Sequence, residues 1–501
     1  MKRPSDLTLS QATLKRKPLA RWTLAQVAAA AGGEWRLPAR LGRAEAEAKA
    51  ALGAALDSRS VRPGEIFVAL GGAHADGHDF IPEARAHGAV AALCRGERAG
   101  GLDVEACGPL LAVDDPERAL AAWGAARRAA WPGTAVGVTG TSGKTTTKEM
   151  LALCLSAHAL TWATEGNRNN QLGVPVTLTG LSDDHRYAVV EMGMNHRGEI
   201  ARLCDWARPT AGVVTHVGAA HLEGLGSLAE VARAKAELAA ALPSGGFLVM
   251  PAGQPHFERA LVEAGLQARR ITFGVECDAD VAARQVLELG PAGVSFRVEG
   301  FPPVRLRLPG RHNVANALAA LACARELGVD AAAAVAALEG AHASAGRLEV
   351  SVRGGVTLLL DYYNANPDST RAALEVLRGW PARRRLAALG EMKELGDYTE
   401  QGHREVGAAA AFVDGLYLVG EATAHVAEGA KASGLKEERV RGFPGALELA
   451  AALGSELAPG DVVLIKGSRA ARMERVAQAL AERLGESAPG GGTAPAPGRE
   501  S

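Results

Sequence analysis

The chain has 501 residues, enough for two to four domains that bury their cores without disulfide staples. Its 55 basic and 56 acidic residues leave a formal charge of −1, which excludes bulk electrostatic attraction to nucleic acid or to an anionic membrane. Hydrophobic residues at 48% and charged residues at 22% exclude bulk disorder, and 60 glycines among 501 residues, about 12% against an ordinary value of about 7%, point to tight turns and close backbone approach to ligands.

Residues 1–20 are polar and basic (Lys2, Arg3, Lys15, Arg16, Lys17) without the apolar stretch of a signal peptide, and read as a disordered extension. Beyond them short β-type runs alternate with alanine-rich helical stretches. Strands are expected at 65–70, 89–94, 135–139, 187–192, 212–216, 247–250, 356–361, 385–390, 415–420 and 461–467. Runs such as VTLLLD and DVVLIKG are continuously apolar, the pattern of parallel strands covered by helices on both faces. The alternation predicts an α/β chain, divided at 21–114, 115–343 and 344–485, with a disordered tail at 486–501 rich in Pro, Gly and Ala. No apolar run reaches the roughly 18 residues of a membrane span, so the expected location is the cytoplasm. Cys94, Cys107, Cys154, Cys204, Cys277 and Cys323 show no Cys-x-x-Cys spacing and read as small core residues of a reduced compartment.

The strongest local signal follows the strand at 135–139: Gly140-Thr141-Ser142-Gly143-Lys144-Thr145-Thr146. An apolar strand, a small-residue turn and a helix start in this order present backbone N–H groups and a helix dipole to phosphate oxygens. Lys144 would reach the β- and γ-phosphates, and the Thr145 hydroxyl would hold Mg²⁺. Val138 stands where the common phosphate-loop pattern has its first glycine, so the loop is a variant. Glu191 ends the strand YAVVE, and His221 follows GVVTHVG, both at the carboxyl ends of strands where open α/β sheets place ligands. Taken singly, Glu191 reads as a capping or salt-bridged acid and His221 as a polar loop residue; beside the phosphate loop they become candidate metal-associated groups. Asn167, Asn169 and Asn170 suit either a turn or a polar substrate. Asp397 and His403 read as solvated loop residues, Arg383 to Arg385 as a solvated charge run, and Lys466 to Arg469 as a place suited to carboxylate recognition.

From about residue 22 to 485 the sequence resembles the Mur ligase family, the ATP-dependent enzymes that build the peptide of peptidoglycan precursors. The family's loop, T-G-[TS]-x-G-K-[ST], is met at 139–145. The resemblance implies three domains: an N-terminal UDP-binding unit, a central P-loop-type ATPase unit and a C-terminal Rossmann-like unit. It implies Mg²⁺-associated roles for Glu191 and His221, a carbamate on Lys235, adenine contact at Asn313, and nucleotide contacts at Arg347 and Asp361 brought by the C-terminal domain. It also favours Asn167 and Asn170 as substrate contacts, since the family carries such contacts in this segment, with Asn169 left open. Without the resemblance Lys235 reads as a solvated helix lysine near Glu237. The stretch 57–80 resembles the family's uridine-nucleotide domain and sets Ser58 and Arg59 near the uracil or its phosphates. Segments 166–178, 221–238, 361–369 and 390–407 are most similar to the branch that joins D-Ala-D-Ala to UDP-N-acetylmuramoyl-tripeptide. The branch that adds the third residue usually carries Asp-Asn-Pro-Arg; here Asn366-Pro367 is followed by Asp368. Folate ligases of the superfamily lack a UDP-binding domain, and non-catalytic relatives carry zinc-type cysteine pairs absent here. The implied cofactors are ATP, two Mg²⁺ and a carbamylated lysine; the implied state is a monomer without nucleic-acid or membrane partners.

Overall fold

Each expected apolar run becomes a strand, and the strands assemble into three sheets, one per domain. The computed structural model describes residues 22–72 and 75–485, so the extension expected at 1–20 and the tail at 486–501 lie outside the described residues. The first sheet has five strands in the order Glu34–Arg36, Leu110–Val113, Ala91–Arg95, Ile66–Val68 and Ala54–Ala55, all parallel except the first pair. The second has nine: Val304–Leu306, Val294–Val298, Val281–Glu288, Arg269–Val275, Phe247–Pro251, Ala211–Val214, Thr134–Thr139, Tyr187–Glu191 and Thr161–Ala163. Its first three strands form an antiparallel extension, and the rest is parallel. The third has six: Glu349–Arg353, Val356–Asp361, Val462–Lys466, Arg385–Gly390, Gly415–Val419 and Val440–Phe443, with only the first pair antiparallel.

The central sheet shows why such sequences read as continuous apolar runs. Val136, Val138 and Val189 face a core built with the helices Lys144–Ser156 and Arg311–Glu326. Ala135, Ala188 and Val190 face the opposite core, with Glu199–Ala207, Leu228–Ala240 and Pro255–Glu263. With both faces covered, neither face can carry polar side chains, and the alternation of a half-exposed strand disappears.

The N-terminal and central domains are joined by Pro116–Ala130. Asp115 caps this helix by accepting from the N–H of Glu117 at 2.9 Å, and proline at the first helical position adds no unmet donor. From its last turn the buried Arg128 donates to the carbonyls of Ala207 at 2.7 Å and Arg208 at 2.8 Å, and Arg127 reaches Asp183 at 2.7 Å. Guanidinium donors are thereby satisfied where water is excluded. In the third domain Arg383 and Arg384 are not a solvated run: both donate to Asp461, which is 0% exposed, with Arg384 Nη2 2.6 Å from Asp461 Oδ2. No helix among the described residues is long and apolar enough to cross a membrane.

Candidate active site between the central and C-terminal domains

The phosphate loop leaves Thr134–Thr139, which lies between Ala211–Val214 and Tyr187–Glu191, where the strand order reverses direction. Loops diverge at such a point and leave a crevice at the strands' carboxyl ends. Two glycines shape the loop. Gly143 (φ 81°) caps Lys144–Ser156, and a Cβ there would meet Asn316 Oδ1 at 2.3 Å; at Gly140 a Cβ would meet Thr215 Oγ1 at 1.9 Å. The loop is held from behind, because Thr141 N–H donates to the His216 carbonyl at 2.8 Å and Thr215 Oγ1 donates to the Ser142 carbonyl at 2.5 Å. Lys144 Nζ donates back to the Gly140 carbonyl at 2.8 Å. Burial pushes the Lys144 pKa below the usual lysine range, Glu191 pulls it back up, and Arg347 adds to the depression.

Glu191 is the register partner of Val138 on the neighbouring strand, which sets it beside the loop. It is 1% exposed. Its Oε1 accepts from Thr145 Oγ1 at 3.2 Å and from Asn169 Nδ2 at 2.7 Å, while Oε2 is buried without a hydrogen-bond partner. A buried carboxylate oxygen left over beside a phosphate loop suits a cation. No group of three or more His, Cys, Asp or Glu among the described residues forms a ready-made metal cage. That fits Mg²⁺, which is usually held by one or two carboxylates plus substrate phosphates.

A cavity of about 670 Å³ opens in front of these groups, and the C-terminal domain supplies its other wall. Thr141 to Thr146, Asn167, Asn169, Glu191, His221 and Asn313 line it from the central domain, and Arg347 and Asp361 from the C-terminal domain. Arg347 lies 4.0 Å from the ring centre of Tyr363, a cation–π contact. Asp361 and Lys466 are register partners on adjacent parallel strands, so Lys466 Nζ reaches Asp361 Oδ2 at 2.6 Å. Asn366 donates from Nδ2 to Ser142 Oγ at 3.2 Å and ties the two walls at the phosphate loop.

Models of the Mur ligase middle domain, the Mur ligase glutamate ligase domain and the Mur ligase family catalytic domain match residues 138–324, 346–469 and 53–128. The chain is 39% identical over 437 residues to UDP-N-acetylmuramoyl-tripeptide–D-alanyl-D-alanine ligase of Escherichia coli K12, with 85% of this chain and 93% of that protein covered. The chain belongs to the Mur ligase family. Among solved Mur ligases, MurF from Acinetobacter baumannii superposes with a TM-score of 0.78 at 33% identity, covering 93% of this chain and 99% of that one. MurF from Thermotoga maritima in complex with ADP gives a TM-score of 0.72 at 29% identity, covering 86% and 97%.

Not every residue expected of a Mur ligase site reaches the cavity. Gly140 shapes the loop from below and is absent from the lining, as is Lys235, which is 2% exposed on Leu228–Ala240. Lys235 is therefore not a solvated helix lysine. Burial drives its pKa well below the usual lysine range, and Lys144 adds to that effect. Asn170 has a turn role: its Oδ1 accepts from Leu172 N–H at 3.2 Å and Gly173 N–H at 2.9 Å. Asn169, left open by the sequence, is the amide that contacts Glu191. Ser58 is buried and donates to Glu83 Oε2 at 2.5 Å, and the exposed Arg59 pairs with Asp57 at 2.7 Å; neither lines the cavity. His403, 0% exposed, is a core residue rather than a solvated one. Cys277 is exposed and lines the cavity, whereas the other five cysteines are buried. His312, Asn316, Tyr363, Lys393 and Glu394 are lining residues that no motif singled out. The strand-end position that points to Glu191, Asp361 and Lys466 is a signal none of these five carries.

Proposed function

We propose that this Mur ligase joins D-Ala-D-Ala to the terminal carboxylate of UDP-N-acetylmuramoyl-tripeptide at the expense of ATP, giving the pentapeptide precursor of peptidoglycan. The observation that carries this reading is likeness over nearly the whole chain to a ligase of that specificity, combined with a phosphate loop that opens into a two-domain cavity.

Amide formation from a carboxylate and an amine in water is uphill, so the carboxylate must first be activated. Its oxygen attacks the γ-phosphorus of ATP, ADP departs, and an acyl phosphate results. The free amine of the dipeptide then adds to the acyl carbon, and the tetrahedral adduct expels inorganic phosphate. The loop N–H groups and Lys144 position the triphosphate, whose charge compensates the buried ammonium. Asn313 and Arg347 take the base and phosphate sides of the nucleotide, with Asp361 held in place by Lys466. Thr145, Glu191 and His221 would hold Mg²⁺. When bound, the ion neutralises phosphate charge. Burial lowers the Lys235 pKa and so favours the neutral amine that is nucleophilic toward CO₂, and a carbamate formed there would add an anion on the metal side of the site. Asn167 serves the sugar-peptide, and Ser58 and Arg59 mark the uridine end; there Arg59 exchanges Asp57 for the substrate.

The test is phosphate release from ATP and Mg²⁺ with UDP-N-acetylmuramoyl-tripeptide, with and without D-Ala-D-Ala, and with free D-Ala and diaminopimelate as parallel donors. Release is expected only when both the tripeptide and D-Ala-D-Ala are present. Release with the dipeptide precursor and a free diamino acid would reassign the chain to the third-residue branch.

A further inference from the structure

Three residues other than glycine in the cavity wall have left-handed backbone: His221 (φ 56°), Leu348 (φ 56°) and Glu394 (φ 66°). Such conformations persist only where surrounding contacts over-determine them. Two of the three, His221 and Glu394, meet across the domain boundary. His221 precedes the short helix Leu222–Leu225 of the central domain, and Glu394 lies in the loop after Arg385–Gly390 of the C-terminal domain.

Glu394 Oε2 lies 2.6 Å from His221 Nδ1, off the line of the ring N–H, and Nδ1 has no aligned acceptor. The backbone adds a second tie, because Glu223 N–H donates to the Glu394 carbonyl at 3.1 Å. Gly396 (φ 54°) lets the loop pass this close: a Cβ there would lie 3.1 Å from Glu223 Cα. On its own domain the loop is anchored by the buried His403, whose Nε2 accepts from Met392 N–H at 3.0 Å while Nδ1 faces the Thr399 carbonyl at 2.6 Å. Ser468 N–H also donates to the Glu391 carbonyl at 3.1 Å. The loop is thus braced on one side and applied to His221 on the other.

We propose that Glu394 is a positioning residue for His221. Docking of the C-terminal domain brings the carboxylate to 2.6 Å from Nδ1; once the cation is bound, alignment of the ring N–H with Glu394 would fix the ring's orientation and tautomer and leave Nε2 for the cation. Outer carboxylates of this kind orient imidazole ligands, and their loss weakens metal affinity or activity by about 10–100-fold. The cation side of the site is then complete only in the docked arrangement, which couples domain closure to phosphate chemistry. The inference rests on the ligase reading for His221 and concerns a residue of the opposite domain.

The experiment titrates the full-length protein with Mn²⁺ in the presence of a non-hydrolysable ATP analogue, read by electron paramagnetic resonance. Glu394→Ala, Glu394→Gln, His221→Ala and both double variants are compared with the parent. Glu394→Ala is expected to weaken Mn²⁺ binding about 10–100-fold. Glu394→Gln, which keeps an acceptor but loses the charge, should lose several-fold. In the His221→Ala background neither change should cost anything further, because a residue acting only through His221 has nothing left to position. Parent-like Mn²⁺ affinity in Glu394→Ala, or an equal loss in both backgrounds, would overturn the proposal, as would Mn²⁺ binding indifferent to His221→Ala. Should Glu394→Ala not fold, the near-isosteric Gln variant in the two backgrounds gives the same decision. This readout needs no sugar-peptide, so a chain inactive on the tripeptide would sink the substrate assignment and leave the present test standing.

Discussion

Burial pushes the Lys144 ammonium below the ordinary lysine range while Glu191 draws it back, so the charge at the phosphate loop is held at a cost and released from it by an anion. Lys144→Ala should therefore cut phosphate release about 10²–10³-fold, the scale of losing one well-placed charge stabiliser, with little loss of thermal stability. Turnover that survived the change would sink the mechanism. His312 gives a second residue-scale expectation. Burial lowers its pKa from 6.5 to about 4; Asp361 opposes the shift and Lys466 adds to it. Because the folded value lies below the unfolded one, the unfolded chain takes up the proton first as the solution is acidified. The His312 contribution to stability is full above pH 6.5 and is lost as the pH falls toward about 4. Melting temperatures of the parent should fall across that window, and His312→Gln should flatten the profile, leaving a residual slope from His403, which burial shifts in the same direction. An unchanged profile would rule His312 out as its source.

At the scale of elements, small residues set how closely helices approach. Thr399–Ala410 and Thr423–Ala432 touch through glycines: a Cβ at Gly407 would meet the Val426 carbonyl oxygen at 2.0 Å, and one at Gly429 the Arg404 carbonyl oxygen at 2.1 Å. Backbone cannot yield as a side chain can. Either Gly→Ala change should cost about 1–3 kcal/mol in denaturant unfolding despite alanine's better helix propensity, because overpacking outweighs the propensity gain. A stabilised Gly407→Ala would show that the helices are free to separate. The same helix pair supports His403 and hence the loop that meets His221.

At the scale of the whole molecule, the site exists only where two domains meet. Asn366 shows how a local signal is used there. Its Oδ1 caps Pro367–Gly379 by accepting from Ser369 N–H at 2.8 Å, which turns Nδ2 toward Ser142 Oγ at 3.2 Å. His216 Nε2 and Asp368 Oδ2, 3.2 Å apart, add a neighbouring tie. Asn366→Asp keeps an equivalent cap but removes the donor and sets an anion near the phosphates. Melting should stay near that of the parent, while turnover falls about tenfold or more, the loss of one hydrogen bond plus repulsion. Small-angle scattering should show the parent contracting on addition of an ATP analogue with the UDP-sugar-tripeptide, and the variant contracting less. Scattering indifferent to both ligands would count against closure.

The α/β class, the ten apolar strands and the phosphate loop were legible in the sequence because each is written over a few consecutive residues, by continuous burial or by glycine, lysine and hydroxyl spacing. The antiparallel extension from Val281–Glu288 to Val304–Leu306 was not, nor were Glu34–Arg36 and Glu349–Arg353, since these strands are part exposed and carry charged residues, so the apolar run that marks the ten expected strands is broken. The same limit applies at the site. Asn169 rather than Asn170 faces Glu191 because the turn around them decides which amide points inward, and that turn depends on the Gly193 backbone packed against it. Arg383 and Arg384 read as solvated until Asp461, distant in sequence, was placed beside them. His403 and Glu394 look alike as polar loop residues; packing buries one and delivers the other to His221. Local chemistry is encoded where neighbours in sequence are neighbours in space. Burial, partner choice and the joining of two domains over one cavity depend on contacts between distant segments, and only the tertiary structure decides them.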